Sequence, residues 1–369
     1  MTVKTPSLAV VSLLLPVLAS CAPAARIIAT PSRAPYGAVV DARFTGHDGD
    51  RIVGEPTYRT VSGALDAAPE SSPTPFIIFI RNGRYHEKLS VDKPNITLRG
   101  ESRDGAVITF DAHADTPQPD GGTYGTRGSF TLRVAAPDFR AEQLTIENAF
   151  DFRANVAKAA GDPGKAKNAQ AVALYLDRGS DRAAITDCVI AGWQDTLYAN
   201  AGRAWFHQCI ILGQTDFIFG AGIAVFDDCD IVSRGPGYIT APSTPPLQAY
   251  GFVFTGSRLG RESDRVKPNT VALGRPWHPS SNPNVNPSAV FIDCNLDDHI
   301  LVDGWASMGG YPPETARFFE YRDHGVGAVA NPARRTLNDA ESARYAVNTV
   351  LSGWLPESRV RTTQRTDVR

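Results

Sequence analysis

The sequence predicts an all-β chain folded as a single-stranded parallel β-helix. A short word recurs after 21 and then 20 residues: residues 187–190 are Asp-Cys-Val-Ile, residues 208–211 Gln-Cys-Ile-Ile, and residues 228–231 Asp-Cys-Asp-Ile. Short apolar runs and turn residues alternate from residue 76 to about residue 300, without helical segments between the repeats. Fixed periods of about 20 to 50 residues are typical of solenoids, and short strands at this period favour stacked coils of parallel strands.

The first elements follow from apolar periodicity and breakers. Residues 57–69 contain a helical pattern that ends at a proline. We expect this helix to cover the N-terminal coil, whose open edge would otherwise invite aggregation. Strands are predicted over 76–80, 85–91 and 96–99, where β-branched and aromatic residues lie between turn residues.

The later part of the chain is predicted to contain loops, further strands and a C-terminal helical segment. Residues 111–128 and 150–169 are rich in Asp, Gly, Pro or Lys and predict two long loops on the face that frames a binding cleft. A strand is predicted over 171–176. Residues 336–351 have a helical pattern with apolar positions that can pack on the last coils.

Two aspartates stand in apolar runs at the same spacing as the repeats. Asp195 is followed by Thr-Leu-Tyr, and Asp216, which lies 21 residues later, is followed by Phe-Ile-Phe. Equivalent positions on successive coils lie about 4.8 Å apart, so the two carboxyl groups are predicted to be neighbours. Two close carboxylates resist joint ionisation, which suits hydrolysis of an ester or a glycoside. The alternative is a pair of strand-end aspartates that cap turns.

Several motifs around these aspartates resemble a known enzyme family. Residues 192–198 (Gly-Trp-Gln-Asp-Thr-Leu-Tyr), 213–220 (Gly-Gln-Thr-Asp-Phe-Ile-Phe-Gly) and 273–277 (Leu-Gly-Arg-Pro-Trp) are similar to signature blocks of the pectin methylesterases. Residues 168–174 resemble the upstream glutamine block of that family, and weaker similarity extends from about residue 57 to residue 328. The resemblance implies a right-handed parallel β-helix with a short N-terminal capping helix.

The resemblance also implies roles for five residues. Asp216 would be the nucleophile and Asp195 the general acid and base. Gln170 and Gln194 would donate hydrogen bonds to the oxyanion of the tetrahedral intermediate, because an amide donates without titrating. Arg275 would form a bidentate pair that orients Asp216.

Five further residues are expected to contact substrate. Trp277, Tyr198 and Phe219 offer flat apolar faces for sugar rings. Thr215 stands before the proposed nucleophile, where the family more often has valine, and Met308 belongs to a block that borders the cleft in the family. Packing in the core or at the rim is the alternative for the aromatic residues.

The expected reaction is hydrolysis of methyl esters on the galacturonate units of pectin, which gives methanol and free carboxylates through an aspartyl acyl-enzyme. The main alternative is an esterase or thioesterase of the same fold that acts on another substrate. Cleavage of a glycoside or polyuronate, and a binding protein on a degenerate scaffold, are further alternatives. No Gly-x-Ser-x-Gly motif of a serine hydrolase is present.

Charge and histidine spacing limit the expected partners. The formal net charge is −2, so no overall field indicates a nucleic-acid partner. The seven histidines are scattered without zinc-ligand spacing. We expect a monomer that needs no cofactor or metal and that binds its polyanionic substrate through local contacts.

The N-terminus has the features of an export signal. Residues 8–18 are an apolar run too short to span a bilayer. Residues 18–21 (Leu-Ala-Ser-Cys) resemble the bacterial lipobox. The resemblance implies that Cys21 is lipidated and that acyl chains anchor the protein, and the outer membrane is the expected destination. The alternative is a secreted protein with cleavage near residues 22–25.

These features divide the chain into four predicted segments. Residues 1–21 are the lipoprotein signal peptide, 22–40 a tether, 41–355 the catalytic β-helix, and 356–369 a polar tail.

An exported protein can form disulfides, and stacked coils bring equivalent cysteines close together. A bridge between Cys209 and Cys229 is therefore expected, as the family resemblance also suggests. A ladder of free buried thiols is the alternative.

Overall fold

The structure, a computed structural model, describes residues 1–2, 36–52 and 54–356. Residues 3–21 of the predicted signal peptide, which include Cys21, and residues 357–369 of the predicted tail lie outside the described residues. None of the helices in the described part of the chain has the length and apolarity of a membrane-spanning helix.

Short strands account for most of the regular structure. The first thirteen are β1 (Ala38–Val40), β2 (Arg51–Ile52), β3 (Glu55–Tyr58), β4 (Phe76–Ile80), β5 (Gly83–His86), β6 (Leu89–Val91), β7 (Ile96–Gly100), β8 (Ala106–Phe110), β9 (Leu132–Val134), β10 (Arg140–Glu142), β11 (Thr145–Asn148), β12 (Leu174–Leu176) and β13 (Ala183–Thr186). The others are β14 (Val189–Ala191), β15 (Leu197–Ala199), β16 (Arg203–His207), β17 (Ile210–Gly220), β18 (Ile223–Asp227), β19 (Asp230–Pro242), β20 (Phe252–Thr255), β21 (Arg258–Arg261), β22 (Val271–Gly274), β23 (Ser288–Ile292), β24 (Asn295–Leu296) and β25 (Arg317–Tyr321).

The helices are few and short. They are α1 (Val61–Asp66), α2 (Gly125–Gly128), α3 (Phe152–Ala157), α4 (Asp339–Ser342) and α5 (Val347–Val350), with 3-10 turns at Pro279–Ser281, Pro313–Thr315 and Ala343–Tyr345.

Strands pair in parallel with their counterparts on neighbouring coils. One sheet contains β1, β4, β7, β10, β13, β16, β18, β20, β23 and β25 in that spatial order. A second sheet has two arms, one through β8, β11 and β14 and the other through β9, β12 and β15, and the arms meet in the long strands β17 and β19. Only β2 and β3 pair in antiparallel fashion among the named strands of the described residues. The expectation of an all-β chain with parallel pairing is therefore confirmed.

Stacked side chains fill the interior between the sheets. Phe206, Phe226, Phe254 and Phe291 occupy paired positions on β16, β18, β20 and β23, and their ring centroids are 4.9, 4.4 and 4.4 Å apart in that order. All four rings are fully buried. Burying a Phe side chain contributes about 1.5–3 kcal/mol, so this column stabilises the coils that carry the site.

Helical turns lie near both ends of the main described segment, where the sequence predicts helical segments. At the N-terminal end, Val61 of α1 packs into the main core, and Thr60 caps this helix by accepting a hydrogen bond from the Gly63 amide. Near the C-terminus, Val347 and Val350 of α5 pack on the outer face of the first sheet. The C-terminal segment is three short turns rather than the single helix that residues 336–351 predict.

The structure corrects several predicted boundaries. Residues 38–40 are not part of a tether, because β1 forms hydrogen-bonded pairs with β3 and β4. The predicted strand over 85–91 is two strands, β5 and β6, which belong to different arms of the second sheet. The strand predicted from residue 171 begins at Leu174.

The predicted Cys209–Cys229 disulfide is wrong for this structure, in which both residues are free buried thiols. The Cys209 thiol donates to the carbonyl of Ile185 at 3.4 Å, and the Cys229 thiol donates to the carbonyl of Phe206 at 3.5 Å. Each thiol therefore donates a hydrogen bond to a backbone carbonyl of the preceding coil.

Candidate active site

The structure places the two central aspartates at equivalent positions on neighbouring coils, as their 21-residue spacing predicts. Asp195 lies two residues before the first residue of β15, and Asp216 lies within β17. β15 and β17 pair in parallel, and on the other side of the aspartates Gln194 forms a parallel bridge with Thr215. The stacking of coils therefore brings the two carboxyl groups to one place.

The backbone bends at both aspartates. Their φ angles are 62° for Asp195 and 49° for Asp216, in the left-handed region that Asp tolerates better than most residues. Next to Asp216 the register between β17 and β19 shifts twice, between Gly213 and Ile218. Such irregularities re-aim side chains at functional sites, and here they mark the change from one arm of the second sheet to the other.

Arg275 holds Asp216 in a bidentate ion pair. Its Nε donates to Oδ1 at 2.8 Å, and one terminal nitrogen donates to Oδ2 at 2.6 Å. Arg275 directly follows β22, its amide donates to the carbonyl of Thr240, and its guanidinium lies 3.8 Å from the ring centroid of Tyr238. The backbone hydrogen bond and the Tyr238 ring thus hold Arg275 in place. Its planar guanidinium in turn fixes the direction of the Asp216 carboxylate.

Burial and this pair separate the behaviour of the two acids. Asp195 and Asp216 are only 9% and 7% exposed. Burial, reinforced by the charge of Asp216, raises the pKa of Asp195 well above its usual range, and Arg275 opposes this only in part. Burial also raises the pKa of Asp216, but the hydrogen bonds and charge of Arg275 oppose it directly. Burial and the Asp216 charge therefore favour the protonated form of Asp195, whereas Arg275 favours the charged form of Asp216.

Two glutamines lie beside the acids. Gln170 and Gln194 line the same cavity as the aspartates, and the amide of Ala171 donates to the Gln194 carbonyl at 3.1 Å, which joins the two segments. The carboxamide oxygen of Gln170 is buried without a hydrogen-bond partner among the described residues.

The cavity has a volume of about 530 Å³ and an aromatic wall. Tyr198 and Phe219 stack with ring centroids 4.1 Å apart, and Trp277 meets both rings edge-on at 6.4 and 5.7 Å. Met308 lines the same cavity. Tyr198 and Phe219 are only 2% and 3% exposed, and Tyr175 and Phe219 both stack on Tyr198, which is the alternative of core packing. Trp277 is partly exposed and can offer a ring face to a sugar.

Comparison with known proteins is consistent with this geometry. The family model described as Pectinesterase matches residues 51–353. Pectinesterase A of Dickeya chrysanthemi is 43% identical over 326 residues, which cover 81% of this chain and 88% of that protein. This chain belongs to the pectinesterase family.

Solved structures of other family members are similar over nearly their whole length. A pectin methylesterase from Erwinia chrysanthemi matches with a TM-score of 0.82 and 43% identity, covering 87% of this chain and 98% of that one. A pectin methylesterase from Yersinia enterocolitica matches with a TM-score of 0.79 and 43% identity, covering 81% of this family member and 100% of that chain. The fold of this family member is thus shared with known pectin methylesterases.

One expected substrate contact is absent from the cavity of this family member. Thr215 does not line it; its backbone instead bridges to Gln194 and pairs with Tyr238. The carbonyl of Thr215 accepts a hydrogen bond from the amide of Asp195 at 3.0 Å. Thr215 therefore connects neighbouring coils beside the site and is not among the residues that line this cavity.

Sequence reasoning missed several residues that line the cavity: Thr126, Arg127, Asn200, Ala221, Ala241, Ser243, Pro279 and Ser280. Thr126 and Arg127 belong to the long loop predicted over 111–128, whose composition does not single out any residue. Asn200 directly follows β15 and lies two residues after Tyr198. Its position beside the cleft could therefore be inferred once the end of β15 is known. The loop residues have no comparable signal, since no repeat covers them.

Proposed function

We propose that this protein hydrolyses the methyl esters of galacturonate units in pectin and releases methanol and free carboxylates. The observation that carries the proposal is the buried acid pair, in which Arg275 binds both carboxyl oxygens of Asp216 and burial favours the protonated form of Asp195. This arrangement supplies a nucleophile and a proton donor in one cavity. A related pectin methylesterase has been solved in complex with a hexasaccharide, which supports a carbohydrate polymer as substrate.

The first half of the reaction forms an acyl-enzyme. A carboxylate oxygen of Asp216 attacks the ester carbonyl carbon, and the carbonyl electrons move onto oxygen. Gln170 and Gln194 donate hydrogen bonds to this oxyanion, a type of interaction worth about 10²–10³ in rate per donor. When the intermediate collapses, the bond to the methoxy group breaks and Asp195 gives its proton to the leaving oxygen, which departs as methanol.

The second half regenerates both acids. Asp195, now ionised, takes a proton from water while the water oxygen attacks the substrate carbonyl carbon of the acyl-enzyme. Collapse of the second intermediate breaks the bond to Asp216, which leaves as a carboxylate and returns to its pair with Arg275. The polymer keeps a free carboxyl group, and Asp195 is protonated for the next turnover.

Trp277, Tyr198, Phe219 and Met308 are proposed to hold the sugar that carries the ester. The partly exposed Trp277 provides an apolar face for the pyranose ring, and Met308 with the stacked Tyr198 and Phe219 completes the apolar wall beside the ester methyl group. These contacts would position the carbonyl carbon against Asp216, which converts binding into the correct attack geometry.

Further features of the sequence remain proposals. We infer that the coils wind as a right-handed parallel β-helix, in keeping with the strong handedness of parallel crossovers. Export, lipidation at Cys21, outer-membrane anchoring by acyl chains and a monomeric state are proposed from the N-terminal sequence and the resemblance to lipoprotein signals.

Methanol release from highly methyl-esterified pectin tests the function directly. We expect turnover by the wild type and a loss of several orders of magnitude in Asp216→Asn and Asp195→Asn, with circular dichroism showing that both variants fold. Hydroxylamine added during turnover should capture the acyl-enzyme as a hydroxamate of the polymer.

A folded wild type that releases no methanol would contradict the pectin assignment. Activity on another ester or on a thioester, lost in the same two variants, would then favour the alternative of an unrelated acyl substrate for the same acid pair.

A further inference from the structure

One of the two proposed oxyanion donors lies outside the regular strands. Gln170 precedes Leu174, the first residue of β12, by four residues, and residues 168–173 belong to no helix or strand. The carboxamide oxygen of Gln170 is buried and accepts no hydrogen bond from the described residues. The placement of the Gln170 amide therefore rests on packing and on the backbone that carries it.

The other donor has a more regular support. Gln194 forms a parallel bridge with Thr215, and the amide of Asp195 donates to the Thr215 carbonyl at 3.0 Å. Sheet pairing of this kind ties Gln194 to the next coil. The segment that carries Gln170 needs an anchor of another kind.

The carboxylate of Asp115 supplies this anchor from a different loop. Its Oδ2 accepts hydrogen bonds from the backbone amides of Lys167 at 2.8 Å and Asn168 at 2.7 Å, and its Oδ1 accepts one from the Asn168 carboxamide at 2.7 Å. The amide of Ala114, the residue before Asp115, donates to the Gln170 carbonyl at 2.9 Å. Two adjacent residues of one loop therefore hold residues 167–170 of the other.

These hydrogen bonds keep Asp115 ionised. The backbone amide and the carboxamide of Asn168 hold the pKa of Asp115 below its usual range, and burial opposes them only in part. A charged acceptor forms shorter and stronger hydrogen bonds than a neutral one. The contact between the two loops is therefore fully formed at neutral pH.

The turn that carries Asp115 is itself fixed. The Asp115 amide donates to Nδ1 of His113 at 3.2 Å, and the Thr116 amide donates to the His113 carbonyl at 2.9 Å. The His113 ring packs on the ring of Phe150, with centroids 4.4 Å apart. Burial lowers the pKa of His113, which favours the neutral ring whose Nδ1 can accept. Asp115 thus projects from a supported turn.

We propose that Asp115 is a positioning residue for the reaction, whose carboxylate fixes residues 167 and 168 and thereby holds the Gln170 amide towards the oxyanion of the ester. We call the Asp115 carboxylate and its three hydrogen bonds to residues 167 and 168 the Asp115 clamp. Asp115 does not line the catalytic cavity, so its effect on the reaction passes through Gln170. The inference rests on the proposed function, in which Gln170 is an oxyanion donor.

Loss of the Asp115 clamp should affect the transition state more than substrate binding. The oxyanion exists only after Asp216 has attacked, so a donor directed at it contributes mainly to the rate of the chemical step. Such a donor is sensitive to small displacements of the segment that carries it. A variant without the clamp should therefore have a lower kcat and a nearly unchanged KM.

The test begins with two substitutions at Asp115, assayed by methanol release from methyl-esterified pectin. Asp115→Ala removes all three acceptor contacts and should lower kcat by about 10- to 100-fold, a part of the 10²–10³ that one oxyanion donor supplies, with KM within about threefold of the wild type. Asp115→Asn keeps one carbonyl oxygen that can accept from both backbone amides, and it should restore kcat to within about fivefold of the wild type.

Asp151→Ala is the matched control. Asp151 also accepts a hydrogen bond from a backbone amide, that of Ala154 at 2.9 Å, at the start of α3 in the same long loop as Lys167, and it does not line the catalytic cavity. We expect kcat of Asp151→Ala to stay within about twofold of the wild type. An equal loss in Asp151→Ala and Asp115→Ala would mean that general loosening of the loop explains the effect, and the role of Asp115 would be wrong.

A double-mutant cycle with Gln170 shows whether the two residues act through one route. If Asp115 acts by placing Gln170, Asp115→Ala should lower kcat by no more than about threefold when it is added to Gln170→Ala. Thermal melts establish that each variant is folded. Losses of kcat that multiply in the double variant would refute the proposed route and leave the esterase function intact.

Hydrogen exchange measured by mass spectrometry tests the Asp115 clamp without any substrate. The amides of Lys167 and Asn168 should exchange at least about tenfold faster in Asp115→Ala than in the wild type, and at the wild-type rate in Asp151→Ala. Unchanged exchange in Asp115→Ala refutes the clamp even if ester hydrolysis is confirmed. A wild type that releases no methanol would instead reject the pectin assignment, while faster exchange in Asp115→Ala would still support the clamp.

Discussion

The ion pair between Arg275 and Asp216 allows the most quantitative prediction. The two hydrogen bonds measure 2.8 and 2.6 Å, and the arginine and aspartate side chains are only 18% and 9% exposed. A hydrogen bond to a charged group contributes about 1.5–3 kcal/mol. Arg275→Lys keeps the charge but loses the planar fork, so we expect kcat/KM to fall by about 10- to 100-fold.

Arg275→Met should have a larger effect, because it leaves the Asp216 carboxylate buried without a counter-charge. Breaking a buried pair costs about 3–5 kcal/mol in stability; if the same interaction is lost from the transition state, kcat/KM falls by about 10²–10⁴. Part of this loss should come from protonation of Asp216. In the wild type, Arg275 opposes the rise that burial causes in the pKa of Asp216, and the variant lacks this effect. The acidic limb of the pH–rate profile should therefore move to higher pH, and raising the pH should restore some activity.

The assay is methanol release from pectin between pH 5 and 9, with thermal melts to confirm folding. Arg258→Met is the matched control, since Arg258 pairs with Asp230 at 2.7 Å but is 62% exposed, and exposed pairs contribute only about 0–1 kcal/mol. If folded Arg275→Met stays within threefold of the wild type, or loses activity without a shift of the acidic limb, the assigned role of Arg275 is wrong.

Three further predictions concern titration and thiols. Wild-type kcat/KM should decline on the alkaline side as Asp195, whose pKa is raised by burial and by Asp216, loses the proton it donates; a flat alkaline limb would contradict this role. Burial raises the pKa of Asp323 to about 8, so the folded state binds a proton that the unfolded chain releases near pH 4. The stability from this group is full below about pH 4 and is lost as pH rises towards 8, so Asp323→Asn should melt higher than the wild type at pH 8 and lack this pH-dependent decline in melting temperature. Cys209 and Cys229 are free thiols, so a reducing agent should leave the melting temperature unchanged, and mass spectrometry after denaturation and alkylation should find both residues alkylated.

Repeated spacing is the reason that much of the acid pair is visible in the sequence. Asp195 and Asp216 are 21 residues apart, the same offset that separates the paired strands β13 and β16 at residues such as Ala184 and Trp205. In a chain of stacked coils a fixed period converts sequence distance into lateral contact. The neighbourhood of the two acids could therefore be predicted before any coordinates, and the motif around Arg275 indicated its partner.

Loops and side-chain directions were decided only by the tertiary structure. Arg127 lies in a loop outside the repeats, and its approach to Tyr198 depends on the anchoring of Ser129 by Asn148. No period relates such a loop to the cleft, since its conformation is set by contacts with distant segments.

Parallel stacking of strands, the proximity of Asp195 and Asp216 and the terminal helical segments can be inferred from the sequence alone. The start of β1 at Ala38, the free thiols of Cys209 and Cys229 and a basic, arginine-lined cavity beside the cleft are visible only in the folded chain. The interactions behind these two groups of features differ in how often they recur along the chain. Backbone pairing repeats with every coil and leaves a period in the sequence, whereas the direction of a thiol or a guanidinium depends on single hydrogen bonds to residues of another coil or loop, which leave none.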